Sequence, residues 1–308
     1  MTSDKCPFCG KGKDEYPKCA FCKKEESPQM DIKQKVEKKS AGSEQNLKQK
    51  ISDQVLKQKS PEIYTLVQKA DLALKEKNLT DHSARVALCL DISASMSSLY
   101  RTGKVQALAE RTLALGCRFD DNGAIDIFLF GSGSHEAGAM TLDNFKGFVK
   151  NITDKYPLEG GTRYGLAIET IRKFYFPDAK GQKREQPVSA DSPVYVMFIT
   201  DGETLDQQYT ETQIKWAAYE PIFWQFMGLG ESKKDVKAGG IKGFFSRMIK
   251  PDFGFLEQLD EMGGRFVDNA NFFSIKDPAD IADDELYALM MREYPEWLKT
   301  ARTKGLIR

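Results

Sequence analysis

The sequence predicts an α/β fold: a doubly wound, mostly parallel, six-stranded Rossmann-like sheet, preceded by a small cysteine-rich module. Three observations carry this reading. From Arg85 onward, short apolar runs alternate with helix-length amphipathic stretches, the pattern of strand–helix–strand units that pair in parallel. One run, Val194–Ile199, is apolar throughout, as a strand covered by helices on both faces requires. Four of the six cysteines fall within the first 22 residues, apart from every stretch that reads as core.

The elements follow in order. Residues 1–25 form the cysteine-rich module, and residues 26–60 are rich in Lys, Gln, Glu and Ser. That second stretch reads as a linker, part disordered and part marginal helix, because it buries too little apolar surface to offset ordering. Pro61 opens a stretch in which Ile63, Leu66, Val67, Ala70, Leu72 and Leu74 approximate an amphipathic helix. Strand Val86–Leu90 leads through a loop at Asp91 to a helix over Lys104–Arg118. Asp120–Gly123 reads as a turn; it matches only a fragment of a Ca²⁺-loop pattern. Strand Ile125–Phe130 follows, then a short antiparallel strand near Glu136–Met140, a helix over Leu142–Ile152, the Gly160-Gly161-Thr162 loop and a helix over Tyr164–Phe176. Asp178–Ser192 is polar and reads as an exposed loop. After Val194–Ile199 come a helix over Glu211–Tyr219, strand Ile222–Gly228, a helix over Phe253–Met262, strand Arg265–Asp268 and helices from Pro278.

Composition narrows the function. Lys plus Arg and Asp plus Glu number 45 each, so no overall field draws the chain to nucleic acid or membrane. The balance hides an asymmetry: residues 1–60 hold 14 lysines against 9 acidic residues. No run of about 18 apolar residues is present, so no transmembrane helix is expected. Met1-Thr-Ser-Asp-Lys-Cys lacks the apolar core of a signal peptide. A cytoplasmic protein without membrane attachment is the expectation.

In an open α/β sheet, ligands bind beyond the carboxyl ends of the strands, at the switch point of strand order. Three segments belong on that side: Asp91-Ile-Ser93-Ala-Ser95 after the first strand, Gly160-Gly161-Thr162, and Thr200-Asp201-Gly202-Glu203 after Val194–Ile199. Serine and threonine hydroxyls with two carboxylates suit a hard ion such as Mg²⁺, which takes six oxygens and keeps waters readily. Ser93 and Ser95 taken alone also read as helix caps, and Glu203 as either a neighbour of the ion or a first-turn helix charge.

These segments, in this order, resemble the metal-ion-dependent adhesion site of von Willebrand factor A (vWA) domains. Leu99–Arg111, Phe119–Gly123, Ile125–Phe130 and Tyr294-Pro-Glu-Trp-Leu298 resemble its tellurium-resistance-associated, TerF-like branch, over roughly residues 61–308. The resemblance implies Ser93 and Ser95 as direct ligands of Mg²⁺ (or Mn²⁺ or Ca²⁺). Thr162 would bind directly or through water, and Asp91 and Asp201 would hold coordinating waters. It also implies a non-enzymatic interaction module that binds a partner's exposed Asp or Glu, in a bacterial stress-response setting that includes tellurium resistance and TerD-type proteins. One departure is Ala94, where many relatives carry glycine; alanine does not adopt positive φ cheaply.

Cys6-Pro-Phe-Cys9 and Cys19-Ala-Phe-Cys22 are two C-x-x-C pairs. Four thiolates so spaced can close a tetrahedron about Zn²⁺, and in a module this small the metal itself supplies folding energy. The pattern resembles a short zinc ribbon. With the lysine-rich stretch it gives the alternative reading of a nucleic-acid-associated factor, the weaker one because aromatic residues do not interleave with those lysines. An enzyme is not expected: no G-x-S-x-G, P-loop or H-E-x-x-H motif occurs. Cys89 and Cys117 read as core thiols, and His82 and His135 as surface residues. The Glu231–Pro251 stretch, with Phe244 and Phe245 among lysines, reads either as packing on its own domain or as an apolar flank of the ion.

Overall fold

The computed structural model describes residues 51–120, 123–230 and 253–308. The cysteines Cys6, Cys9, Cys19 and Cys22, most of the lysine-rich stretch, the middle of the Asp120–Gly123 turn and the Glu231–Pro251 stretch lie outside the described residues. Six strands form one sheet: β1 Arg85–Asp91, β2 Ala124–Phe130, β3 Ser134–Thr141, β4 Val194–Thr200, β5 Ile222–Leu229 and β6 Ala270–Ile275, in the order β3-β2-β1-β4-β5-β6. Every pairing is parallel except that of β2 with β3, whose register shifts between Ile127 and Phe128. The helices are α1 Asp53–Lys59, α2 Pro61–Glu76, α3 Ser97–Arg101, α4 Lys104–Phe119, α5 Phe148–Lys155, α6 Tyr164–Tyr175, α7 Gln207–Ala217, α8 Gly254–Asp260, α9 Asp283–Met290 and α10 Tyr294–Thr303.

Side chains alternate across a sheet, and β4 shows the consequence. Tyr195, Met197 and Ile199 enter one core with residues of α2, α4, α9 and α10, whereas Val194, Val196 and Phe198 enter the other with α6, α7 and α8. All seven residues of β4 are buried. Cys89 and Cys117 are buried free thiols, as expected. Among the described residues no helix is long and apolar enough to cross a membrane.

Several boundaries differ from expectation. The sixth strand is Ala270–Ile275 rather than Arg265–Asp268. Arg265 instead turns back, donating from Nε to the Met262 carbonyl at 2.8 Å and from Nη2 to the Asp260 carbonyl at 2.7 Å. The strand proper tolerates buried Asn271 because its Nδ2 donates to Gln225 Oε1 on β5 at 2.8 Å and its Oδ1 accepts from Arg292 at 2.7 Å. Helix α5 starts later than Leu142 because the Asn144 carboxamide closes a turn on the Thr141 N–H at 2.7 Å, and Gly147 takes φ +67°. Within the stretch read as linker, α1 buries Leu56 completely. Arg118 ties α1 to α2 by reaching Asp53 at 2.6 Å and Asp71 at 2.7 Å. The two histidines are half-buried and engaged: His82 Nε2 lies 2.8 Å from the Tyr294 hydroxyl, and His135 Nε2 lies 2.6 Å from Glu159.

The polar Asp178–Ser192 segment is largely exposed, as expected, yet it is firmly moored. Arg172 and Glu220 form a fully buried ion pair, 2.8 Å from Nε to Oε2. Arg172 Nη1 and Nη2 also donate to the Gly181 and Gln182 carbonyls at 2.8 and 2.9 Å. Arg184 adds a second contact to Glu220 at 3.0 Å, and Ala190 pairs with Ile307 near the chain end. Removing one member of a buried pair strands the other charge, at about 3–5 kcal/mol. Glu220→Ala should therefore lower unfolding stability by about that amount, read from urea denaturation, while Glu220→Leu combined with Arg172→Met should restore most of it. Equal losses in the single and double variants would show that the pair acts only through packing.

Candidate metal site

β1 and β4 are neighbours where strand order reverses, and their register sets Leu90 against Ile199. Their next residues, Asp91 and Thr200, therefore emerge side by side at the carboxyl end of the sheet. Asp91 is completely buried. Its Oδ2 accepts from the Thr200 hydroxyl at 2.6 Å, its Oδ1 from the Ser93 N–H at 2.7 Å, and its carbonyl from the Tyr100 hydroxyl at 2.8 Å. Behind Thr200, the Tyr164 hydroxyl lies 3.0 Å from its Oγ1 and donates to the Gly202 carbonyl.

The Ser93 and Ser95 hydroxyls lie 2.9 Å apart, and Ser95 Oγ donates to Asp201 Oδ1 at 2.8 Å. Since Ser95 spends its single proton on Asp201, Ser93 is the donor to Ser95. One hydrogen-bonded chain thus joins four of the five residues singled out in the sequence: Ser93 and Ser95, Asp201 and, through the Ser93 N–H, Asp91. The fifth, Thr162, docks its loop beside Asp201 by backbone. Its carbonyl accepts the Leu205 N–H at 2.9 Å. Thr204 accepts the Tyr164 N–H at 3.0 Å and donates to Asp206 at 2.6 Å. The Asp206 carboxylate in turn takes the Gly165 and Leu166 N–H groups, each at 3.2 Å. Asp206 therefore caps α6 from the opposite loop.

Ala94 begins a single 3₁₀ turn over Ala94–Met96 and is not among the described residues with positive φ, so replacing glycine there costs no strain. Glu203 is exposed in the loop and precedes the start of α7 at Gln207; it is not a first-turn helix charge.

Burial pushes the Asp91 carboxyl up to about 6, against the hydrogen bonds from Thr200 and Ser93, and the charge of Asp201 adds to the rise. Burial likewise raises Asp201, opposed by the Ser95 hydrogen bond. Two partly desolvated carboxylates that repel each other are what a divalent cation relieves. Among the described residues no group of three or more His, Cys, Asp or Glu side chains is placed to hold a metal. An ion here would depend on hydroxyl oxygens and water, a hard-ion donor set without thiolate or imidazole. Asp91, Ser93, Ser95 and Asp201 offer oxygens of that kind within one hydrogen-bonded chain, and Thr162 joins them through the contacts of its backbone carbonyl.

Of four supporting residues, sequence pattern had placed only Thr200 in a site segment, and without a role of its own. Tyr100 and Thr200 hold Asp91, Asp206 fixes the Thr162 loop, and Glu159 anchors the loop around Ser93. The Glu159 backbone N–H donates to the Ile92 carbonyl at 2.7 Å, and its carbonyl accepts the Ala94 N–H at 2.9 Å. Burial alone would raise its carboxyl, but hydrogen bonds from the Gly133 N–H, His135 and Ser132, with the charge of His135, take it down to about 2.

Residues 83–307 match the family model described as the vWA found in the TerF C terminus. Uncharacterized protein YcbR of Bacillus subtilis (strain 168) is 32% identical over 249 residues, covering 77% of this chain and 86% of that protein. Among solved structures, proximal thread matrix protein 1 from the mussel byssus aligns at 16% identity, with a TM-score of 0.44 over 70% of this chain and 48% of that one. The ArnB paralog VWA2 from Sulfolobus acidocaldarius aligns at 15% identity, with a TM-score of 0.38 over 64% and 42%. The chain spans about half the length of these two structural matches or less.

A carboxyl whose folded-state pKa is raised stabilises the fold below its unfolded value and loses that contribution as pH climbs through the folded value. In chelator, Asp91→Asn should therefore raise stability by about 3 kcal/mol above pH 6, and the gain should vanish below pH about 4. Thermal melts across pH 4–8 check this; a gain that does not change with pH would rule out the charge as its cause.

Proposed function

Because the chain belongs to the TerF-type vWA family, we propose that it is a non-enzymatic interaction protein that grips a protein partner through a divalent cation. Ser93 and Ser95 coordinate the ion directly, Thr162 binds directly or through water, and Asp91 and Asp201 hold its waters. The remaining position takes an exposed Asp or Glu of the partner. Mg²⁺ is the physiological ion, with Mn²⁺ or Ca²⁺ as substitutes. The observation that carries this reading is the hydrogen-bonded chain Ser93–Ser95–Asp201 beside buried Asp91, at the switch point between β1 and β4.

The same geometry speaks against nucleophilic catalysis. Ser95 gives its proton to a carboxylate, and Ser132, near the only described histidine on this face, bonds Glu159 Oε2 at 2.7 Å. Neither hydroxyl faces an imidazole as a general base requires.

Around this site we assign residues 61–308, joined by α1, to the vWA domain with its helical extensions, 1–25 to a zinc ribbon on Cys6, Cys9, Cys19 and Cys22, and the part of 26–60 that precedes α1 to the linker between them. The setting is cytoplasmic stress response, including tellurium resistance, with TerD-type proteins as partner candidates. The ribbon supplies a second contact, which makes the chain a two-ended adaptor.

A ligand at a hundred times its Kd stabilises the folded state by about 2.7 kcal/mol. Mg²⁺ at that excess should raise the melting temperature of the full chain, and Ser95→Ala and Asp201→Ala should abolish the rise. Affinity capture from bacterial lysate should recover a partner with wild type in Mg²⁺, but not in chelator or with either variant. Recovery of the same proteins under all conditions would overturn the ion-bridged reading.

A further inference from the structure

Glu159 immediately precedes Gly160-Gly161-Thr162, and its contacts reach two other loops at once. Its carboxylate accepts three hydrogen bonds from the β2–β3 hairpin: the Ser132 hydroxyl at 2.7 Å and the Gly133 N–H at 2.8 Å in the turn, and His135 Nε2 at 2.6 Å at the start of β3. Its backbone forms a parallel bridge with Ser93, bonding the Ile92 carbonyl on one side and the Ala94 N–H on the other. The two peptides flanking a direct ligand are therefore held by one residue. Gly131 is shaped to this arrangement. A Cβ there would stand 2.7 Å from Glu159 Cβ and 2.8 Å from its Oε2, closer than real contacts allow. Gly161 lies against Ser132 more loosely, with 3.4 Å from a built Cβ to Ser132 Cβ, an ordinary contact.

Resting on the cation-site reading above, we propose that Glu159 is the positioning residue of that site: it joins the Ser93 loop, the Ser132–His135 turn and the Thr162 loop into one unit, so that the oxygens are placed before the ion arrives. Any residue except proline can make the two backbone bonds. Only a carboxylate can accept three donors converging on its two oxygens. Glutamine would turn an amide N–H₂ toward a donor, and aspartate would fall short of the turn. Outer residues of this kind typically change metal affinity by about 10- to 100-fold when lost.

The test separates position from charge. Glu159→Gln removes the charge and at least one of the three accepted bonds; Gly131→Ala keeps the charge but displaces the carboxylate. The full chain is titrated calorimetrically with Mg²⁺ and, separately, with Ca²⁺, and melting in chelator verifies folding. Mg²⁺ demands near-ideal octahedral geometry whereas Ca²⁺ accepts irregular shells. Both variants should lose about tenfold or more in Mg²⁺ affinity, with a smaller loss for Ca²⁺. If Gly131→Ala unfolds, Ser132→Ala, which deletes one donor, should show the same Mg²⁺-weighted loss on a smaller scale. Wild-type affinity in the folded variants overturns the positioning role. So does an equal loss of both ions confined to Glu159→Gln, which would mark a field effect alone. Failure of the wild-type chain to bind any divalent cation overturns the cation site itself, and Glu159's role with it.

Discussion

The parallel pairing of β1 with β4 is the constraint on which the rest depends. Register alone sets Asp91 beside Thr200, and a slip of one residue would turn every side chain of β1 to the opposite face. The slip is prevented from below. Val86, Leu88 and Leu90 belong to one core and Ala87 and Cys89 to the other, so both faces of the strand specify the same alignment. The acidic residue at the strand end thus inherits its position from apolar packing many ångströms away. That is how a carboxylate with no exposure can be held where burial disfavours its charge.

Above the sheet, loops that would otherwise move separately are fastened to one another rather than to the core. Asp206 caps a helix that is not its own, Tyr100 holds the Asp91 carbonyl, and Glu159 spans from the Ser132 turn to Ser93. Backbone groups that would have cost free energy if left unpaired are satisfied by side chains from neighbouring loops. Rigidity of this sort serves recognition, since oxygens already in place lose little freedom on binding.

Much of this was legible in the sequence because the signals were local. Val194–Ile199 announced a strand buried on both faces, and the Asp91–Ser95 and Thr200–Glu203 segments each followed directly on a strand, where ligands of α/β sheets gather. The misses share a physical cause: they depend on partners far along the chain. Asn271 and Ser274 interrupt the apolar pattern of the sixth strand, and Asn271 is acceptable there because of Gln225 and Arg292, 46 and 21 residues away. Glu159 reaches Ser132 and His135 across 27 and 24 residues, a relation that no spacing rule encodes. The Asp178–Ser192 segment looked like a free loop because its moorings, Arg172 and Glu220, sit in elements before and after it. Leu56 reads as one leucine among lysines until Arg118 is seen to hold its helix down.

The antiparallel hairpin at one border of the sheet carries a further consequence. β3 is eight residues long, half polar in character, and its pairing with β2 is broken by a register shift at Ile127 and Phe128. Such an irregularity sharpens local twist, and with glycine at position 138 in a left-handed conformation the outer rim departs from a flat template. A rim of that shape resists extension by another chain's strand, the common route from exposed edges to fibrils. The β3 border of the sheet is therefore a poor template for pairing with a second copy, whatever the loops at the carboxyl end of the sheet bind.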